Sequence, residues 1–258
     1  MGRALISGLL RAGTRPEHLS VGESSLAARE ELARELGITA SPDNAAASAG
    51  AAIVVLAVKP QEAAGVLKPL AATLAAGQPL LVSVIAGVRI ASLAQWCPGV
   101  ALLRAMPNRP ALLGAGVTGA YAPPQVGADA RSRAEAVLQA VGEVVWVGDE
   151  PALDVVTALS GSGPAYFFLL AELMARAGTQ LGLAEVSARR LATATLYGAG
   201  LMAQSRTADL AQLRASVSSP GGTTQAALAA LDAADLGGAV FRALAAATAR
   251  SRELAAQA

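Results

Sequence analysis

Apolar and polar positions change period repeatedly along the first half of the chain. Leu5, Leu9 and Ala12 share one side of a 3.6-residue repeat, which predicts a helix over Gly2–Ala12 closed by Gly13. A short strand is expected over His18–Gly22. Ser25–Leu36 is helical again: Leu26, Glu30-Glu31 and Leu32-Ala33 keep the spacing, and Gly37 stops it. Ala52–Val58 is a continuous β-branched and apolar run ended by Lys59-Pro60, the pattern of a strand buried on both faces. The alternation continues with a helix over Gln61–Ala75, a strand Leu80–Ile85 ended by Ala86-Gly87, a helix Arg89–Trp96 and a strand Ala101–Met106. Extended Tyr121-Ala122 follows Gly116, then a helix over Gly127–Val141 and a last strand Glu143–Val147. Repeated strand–helix–strand units predict a parallel sheet with helices on both faces, because parallel neighbours need a crossover.

From Pro151 the strand signals stop. The chain reads as long helices broken at Gly161–Pro164, Gly182, Thr207–Asp209, Val217–Gln225 and Gly237-Gly238. The expected boundary lies near Asp149–Pro151. It separates an α/β domain over residues 1–150 from an all-α domain over 151–258, with the ligand expected between them.

Composition narrows the class. The 258 residues are 53% hydrophobic but only 3% aromatic, so the cores are built from Ala, Leu and Val, and abundant alanine favours closely packed helices. The net charge of +1, without a basic block, argues against nucleic acid as a partner. One cysteine, Cys97, allows no intramolecular disulfide and suits a reducing compartment. The only histidine is His18, and no cluster with metal-ligand spacing accompanies it, so no metal is expected. The apolar runs Ala51–Val58 and Leu80–Val88 are too short to span a bilayer, and the N-terminus lacks the layout of a signal peptide. A cytoplasmic protein with no membrane association is expected.

The stretch Val217–Gln225 carries the most chemistry. Two serines, a proline, two glycines and two threonines stand directly before the apolar run Ala226–Ala234. Ser219 or a threonine can cap the first turn, and Pro220 fixes its own φ. Gly221-Gly222 allow a ligand close to the backbone. The first amides of such a helix suit a carboxylate or phosphate. An ordinary capped helix start fits the same residues.

Collected together, Ala57-Val58-Lys59-Pro60, Ala86-Gly87-Val88, Arg104-Ala105-Met106-Pro107-Asn108, Leu159–Tyr166 and Ser218–Thr224 closely resemble the pyrroline-5-carboxylate reductases, in order and spacing, over essentially the whole chain. The resemblance implies a Rossmann-type N-terminal domain and a helical C-terminal dimerisation domain. It implies reduction of 1-pyrroline-5-carboxylate to proline by hydride transfer from NAD(P)H, without a metal. Members of that family begin with a strand and a G-x-G-N-M-G turn. Met1-Gly2 then corresponds to the tail of the turn, and a first strand is expected upstream; the chain as written is expected to bind cofactor poorly.

The resemblance also implies site residues. Ser219, Gly222, Thr223 and Thr224 hold the ring carboxylate, and Thr224 also meets the ring nitrogen as the catalytic contact. Glu150 matches an acidic position near the substrate, or is a solvated carboxylate at a domain boundary. Met1, Gly2, Ser24, Asn44, Ala57, Val58, Lys59, Pro60, Ala86, Gly87 and Asn108 are the cofactor residues. Lys59 contacts cofactor or caps a sheet edge, and Asn108 positions the nicotinamide or shapes a turn. Leu159–Tyr166 forms a pocket floor or a helix junction. Ser24, Ser25 and Arg29 favour the 2′-phosphate of NADP, whereas Glu23 favours NAD.

The loop Ser205–Gln212 departs from the family pattern, which weakens any substrate contact there. Apolar residues on more than one face of the helical half predict a homodimer through these helices, and the resemblance implies further association. Two other readings stand beside this one. A β-hydroxyacid-dehydrogenase type would use a catalytic lysine in the helical half, where every basic residue is an arginine. A dimeric relative with impaired catalysis is the other.

Overall fold

The computed structural model describes residues 1–205 and 209–256. Its described residues divide into two compact units, Met1–Ser162 with Ala247–Ala258, and Gly163–Ala246.

In the first unit, α1 (Gly2–Arg11) leads through a single 3-10 turn, Pro16–His18, into β1 (Val21–Gly22). The strand expected from His18 is therefore confined to two residues. Next come α2 (Leu26–Leu36), β2 (Ala40–Ser41) and α3 (Asn44–Ser48). Ser25 caps α2 by accepting from Ala28 N, and Gly37 ends it at φ +66. β1 and β2 pair in parallel as a small sheet of their own.

The larger sheet runs in the order β3 (Ile53–Leu56), β4 (Leu80–Ser83), β5 (Ala101–Pro107), β6 (Gly116–Tyr121), β7 (Gly142–Trp146). Its helices are α4 (Ala63–Gly77), α5 (Ile90–Trp96) and α6 (Ala128–Gln139). Two expectations need correction. The sheet is parallel except between β5 and β6, which run antiparallel. Only a 3-10 turn, Arg109–Leu113, joins them, too short a connection for a parallel crossover. The strand expected to be buried on both faces is also the wrong one. β3 is an edge strand of this sheet and mostly half-buried, whereas every residue of β4 is buried.

Alternation along β4 builds two cores. Leu80 and Val82 join Leu5 of α1, Leu103 and Leu138 of α6 on one face. Leu81 joins Leu67 and Leu74 of α4, Leu93 of α5 and Cys97 on the other. Each buried leucine contributes roughly 1.5–3 kcal/mol relative to exposure. Burial also raises the Cys97 thiol pKa, consistent with a packing role. Trp146 packs partly on the first core, with its Nε1 donating to Glu135.

Helices follow β7: α7 (Ala152–Val156), a π turn (Thr157–Gly161) and α8 (Gly163–Gln180). The break expected at Gly161–Pro164 is thus a π turn inside one helical run. Pro164 has no N–H to donate to the Ser160 carbonyl one turn back, and Asn108 Nδ2 donates to that oxygen instead, at 3.1 Å. The run Ala152–Gln180 is 29 residues long and contains an 18-residue window of mean hydropathy 1.3, enough by length and composition to cross a bilayer. It is neither of the two short runs weighed from the sequence, Ala51–Val58 and Leu80–Val88.

In the second unit α8 packs on α9 (Glu185–Gln204), with Gly182 at φ +107 between them. Then come α10 (Leu210–Ser216), α11 (Thr223–Ala233) and α12 (Leu236–Ala256), whose last turns belong to the first unit. Of the break expected at Thr207–Asp209, residues 207 and 208 lie outside the described residues, as does part of the Ser205–Gln212 loop. Asp209 itself caps α10 by accepting from Gln212 N. The break expected at Gly237-Gly238 lies earlier. Asp235 takes φ +55, its carboxylate accepts from Gly238 N, and both glycines lie in the first turn of α12. The helical unit leaves Phe167, Phe168, Leu173, Met174, Tyr197 and Phe241 exposed.

Candidate active site

The proposed cofactor residues cluster at strand ends and helix starts of the first unit. α1 begins at Gly2 with Met1 as its uncapped N-cap, so its first amides are open to an anion. A Cβ on Gly2 would lie 3.4 Å from that of Ala57, just past the end of β3. Val58 and Lys59 follow, and Pro60 starts a 3-10 turn whose Glu62 Oε2 accepts from Lys59 N at 3.4 Å. The Lys59 side chain is exposed. Leu56 pairs with Ser83, so the segment Ala86-Gly87 beyond β4 leaves the same edge of the sheet. Gly87 has φ +79, a conformation that disfavours other residues.

At the end of β1, Asn44 packs on Gly22: a Cβ there would come 2.2 Å from its Oδ1, so a larger residue would require the Asn44 side chain to move. Ser24 is exposed beside it in sequence. Glu23 Oε1 accepts from Ser25 N at 2.8 Å, and Arg29 Nη1 donates to the carbonyls of Glu23 and Ser24, each at 2.8 Å. The Glu23 carboxylate is therefore turned onto the start of α2. The uncapped start of α1, with its first amides open, fits the phosphates of a dinucleotide.

Asn108 is buried, and both ends of its amide are committed: Nδ2 to Ser160 O, and Oδ1 accepting from Val117 N at 3.0 Å. It fixes the backbone of the π turn and β6. Glu150 is part-exposed but engaged: its Oε1 accepts from Arg104 Nη1 and from Ile90 N, both at 2.8 Å. Burial pulls the Arg104 guanidinium pKa down, and Glu150's hydrogen bond and charge pull it back up. Sequence reasoning missed this buried network, which extends through Arg89, Asp154 and Ser251. An arginine inside the apolar strand Ala101–Pro107 was the available signal, since such a charge demands a buried acid.

In the second unit, Gly221 turns the chain at φ +71 and Gly222 precedes α11. The expectation that Ser219 or a threonine caps this helix is corrected, because no side chain does so. Gln225 Oε1 instead accepts from Gly221 N at 2.7 Å, and Gly222 N donates to Ser219 O at 3.0 Å. Ser218 Oγ donates back to Arg214 O. Among the described residues the hydroxyls of Ser219, Thr223 and Thr224 have no partner. Three unused hydroxyls beside uncapped amides suit an anion that carries a further acceptor or donor.

The whole chain aligns with the pyrroline-5-carboxylate reductase of Pseudomonas aeruginosa at 43% identity, covering 94% of that protein. The chain belongs to the pyrroline-5-carboxylate reductase family. A family model described as pyrroline-5-carboxylate reductase dimerisation matches residues 150–254. One described as NADP oxidoreductase, coenzyme F420-dependent, matches residues 1–87. A solved pyrroline-5-carboxylate reductase from Coxiella burnetii superposes with a TM-score of 0.95 at 37% identity, over 98% of this chain and 94% of that one. The Plasmodium falciparum pyrroline carboxylate reductase, solved with NADP bound, superposes at 0.82 with 26% identity, over 99% and 94%. As a pyrroline-5-carboxylate reductase family member the chain is an oxidoreductase that uses a nicotinamide cofactor, and its helical region is a self-association module.

Proposed function

We propose that the chain reduces 1-pyrroline-5-carboxylate to L-proline with NADPH, its substrate held by Ser219, Gly222, Thr223 and Thr224. The observation that carries this reading is the set of unpartnered hydroxyls at the uncapped start of α11. Ser219, Thr223 and the first amides of the helix take the ring carboxylate. The Thr224 hydroxyl hydrogen-bonds the ring nitrogen and orients the C=N carbon. Bound reduced nicotinamide supplies the hydride; the nitrogen keeps its proton and becomes the secondary amine. Because the imine is already protonated, orientation and one hydrogen bond suffice, and no metal enters. Imine-dependent oxidation of NADPH tests the reading, and its absence in folded protein that binds NADPH would overturn it.

The cofactor in this reading lies along Met1-Gly2, Ser24, Asn44, Ala57–Pro60 and Ala86-Gly87. Asn108 and Glu150 act behind that surface, since their polar groups already serve Ser160, Val117, Ile90 and Arg104. We assign nucleotide binding to residues 1–150 and substrate binding with dimerisation to 151–258. The preference for NADPH rests on Glu23 facing Ser25 N while Arg29 braces the turn that carries Ser24. Arg29→Ala is expected to lower kcat/KM for NADPH roughly tenfold, the worth of one guanidinium contact, and to change NADH little. Equal losses for both cofactors would remove Arg29 from phosphate recognition.

Exposed Phe167, Phe168, Leu173 and Met174 on α8 support a homodimer through the helical half, in which a second copy rather than a bilayer covers the run Ala152–Gln180. Light scattering is expected to give at least twice the mass of one chain; a monomer would count against this arrangement. Dimers are expected to associate further, and the work is cytoplasmic.

A further inference from the structure

We propose that Asp154 and Ser251 are positioning residues for the Ala86-Gly87 loop, through which the last turns of α12 set the affinity for the nicotinamide cofactor. The proposal rests on the reading of Ala86-Gly87 as part of the cofactor site, and its test is arranged to separate the two. All of the residues involved belong to the first unit, which includes Ala247–Ala258.

The loop between β4 and α5 is held at three points. Glu150 Oε1 accepts from Ile90 N, fixing the start of α5. Arg89, which immediately precedes α5, donates through Nη2 to Asp154 Oδ2 at 2.6 Å. The third point is the backbone of Leu254 and Ala255, which lies 3.8 Å from where a Cβ on Gly87 would stand. Asp154 links the second point to the third. It is 3% exposed, and its other oxygen, Oδ1, accepts from Ser251 Oγ at 2.8 Å; Ser251 is itself 7% exposed. Arg252 Nε approaches Oδ2 at 4.0 Å from the same turn of α12.

One buried carboxylate therefore ties the start of α5 to the end of α12, and the tied end of α12 forms a wall behind Gly87. Packing alone does not account for it, because an apolar side chain would fill the space without the desolvation cost of Asp154. What the network adds is direction: each oxygen fixes a different element relative to the loop. Gly87, at φ +79, has the wide conformational freedom of glycine, and a loop containing it needs such external restraint to present one shape.

The test compares Ser251→Ala, Ser251→Thr, Asp154→Asn and Gly87→Ala in the full chain. Affinity for NADPH is measured by fluorescence titration, with KM for both substrates and the melting temperature alongside. Ser251→Ala is expected to weaken NADPH binding roughly 3–10-fold, part of the worth of a hydrogen bond to a carboxylate, with the imine KM unchanged. Ser251→Thr keeps the hydroxyl and is expected to restore the affinity. Asp154→Asn is expected to act in the same direction and more strongly; if it does not fold, the Ser251 pair decides. A lower melting temperature with unchanged NADPH affinity, or a threonine no better than alanine, overturns the proposal. Gly87→Ala perturbs the loop directly. If it weakens NADPH and Ser251→Ala does not, only the positioning role falls. If Gly87→Ala leaves NADPH affinity intact, the loop is not part of the cofactor site and both ideas fall.

Discussion

Thr224→Ala is expected to lower kcat/KM for 1-pyrroline-5-carboxylate by about 10–100-fold, the loss of one hydrogen bond to a charged group. The fold gives little reason for any other effect. Thr224 is half-buried in the first turn of α11, and its hydroxyl has no partner within the described chain. Alanine is the better helix former by up to about 0.7 kcal/mol, so the melting temperature should hold or rise slightly. How the loss divides between kcat and KM then reads the mechanism. A hydroxyl that donates to the lone pair forming on the ring nitrogen as hydride arrives appears mainly in kcat, whereas Ser219→Ala, at the carboxylate, appears mainly in KM. An unchanged rate in Thr224→Ala would remove this hydroxyl from the reaction.

The largest loss of stability is expected from Glu150→Ala. Arg104 is 5% exposed in the middle of the sheet, and its Nε has no hydrogen-bond partner among the described residues. Removing Glu150 leaves that guanidinium buried without its counter-charge and also frees Ile90 N. Breaking a buried pair in this way costs about 3–5 kcal/mol. Against a total of roughly 5–15 kcal/mol for a folded domain, that is enough to unfold much of the protein at moderate temperature. Chemical denaturation measures it. The double variant Arg104→Met, Glu150→Gln removes the buried cation and keeps an acceptor for Ile90 N, so it should be more stable than Glu150→Ala. A midpoint for Glu150→Ala within error of the natural chain would show that solvent already satisfies Arg104.

The alternating half of the chain was legible wherever local signals and tertiary packing agreed. Ser25 and Gly37 bound α2 as their chemistry predicts, and the apolar runs at Ile53–Leu56 and Leu80–Ser83 are strands. Legibility failed where non-local pairing decides. Ala40–Ser41 is a strand only because it pairs with β1, and α3 depends on the Asp43 cap within an alanine-rich stretch that carries no period. The direction of β6 follows from the length of one connection rather than from its own residues. Glycine misled at Gly237-Gly238, because Asp235 supplies the left-handed residue. In the site, motif residues could be named from the sequence but their hydrogen-bond commitments could not. Asn108 and Glu150 show this most clearly, for their partners lie 52 and 60 residues away.

The closing turns of α12 have a consequence for biogenesis. Synthesis proceeds from the N-terminus, and domains tend to fold as they emerge. Here the first unit is not contiguous in sequence: Ser251 is made 97 residues after Asp154, with the helical unit 163–246 between them. Until then a buried carboxylate waits without one of its donors, and the wall behind Gly87 does not exist. The unit whose translation begins first is thus completed only after the helical unit 163–246 has been made, and until then it lacks the Asp154–Ser251 bond.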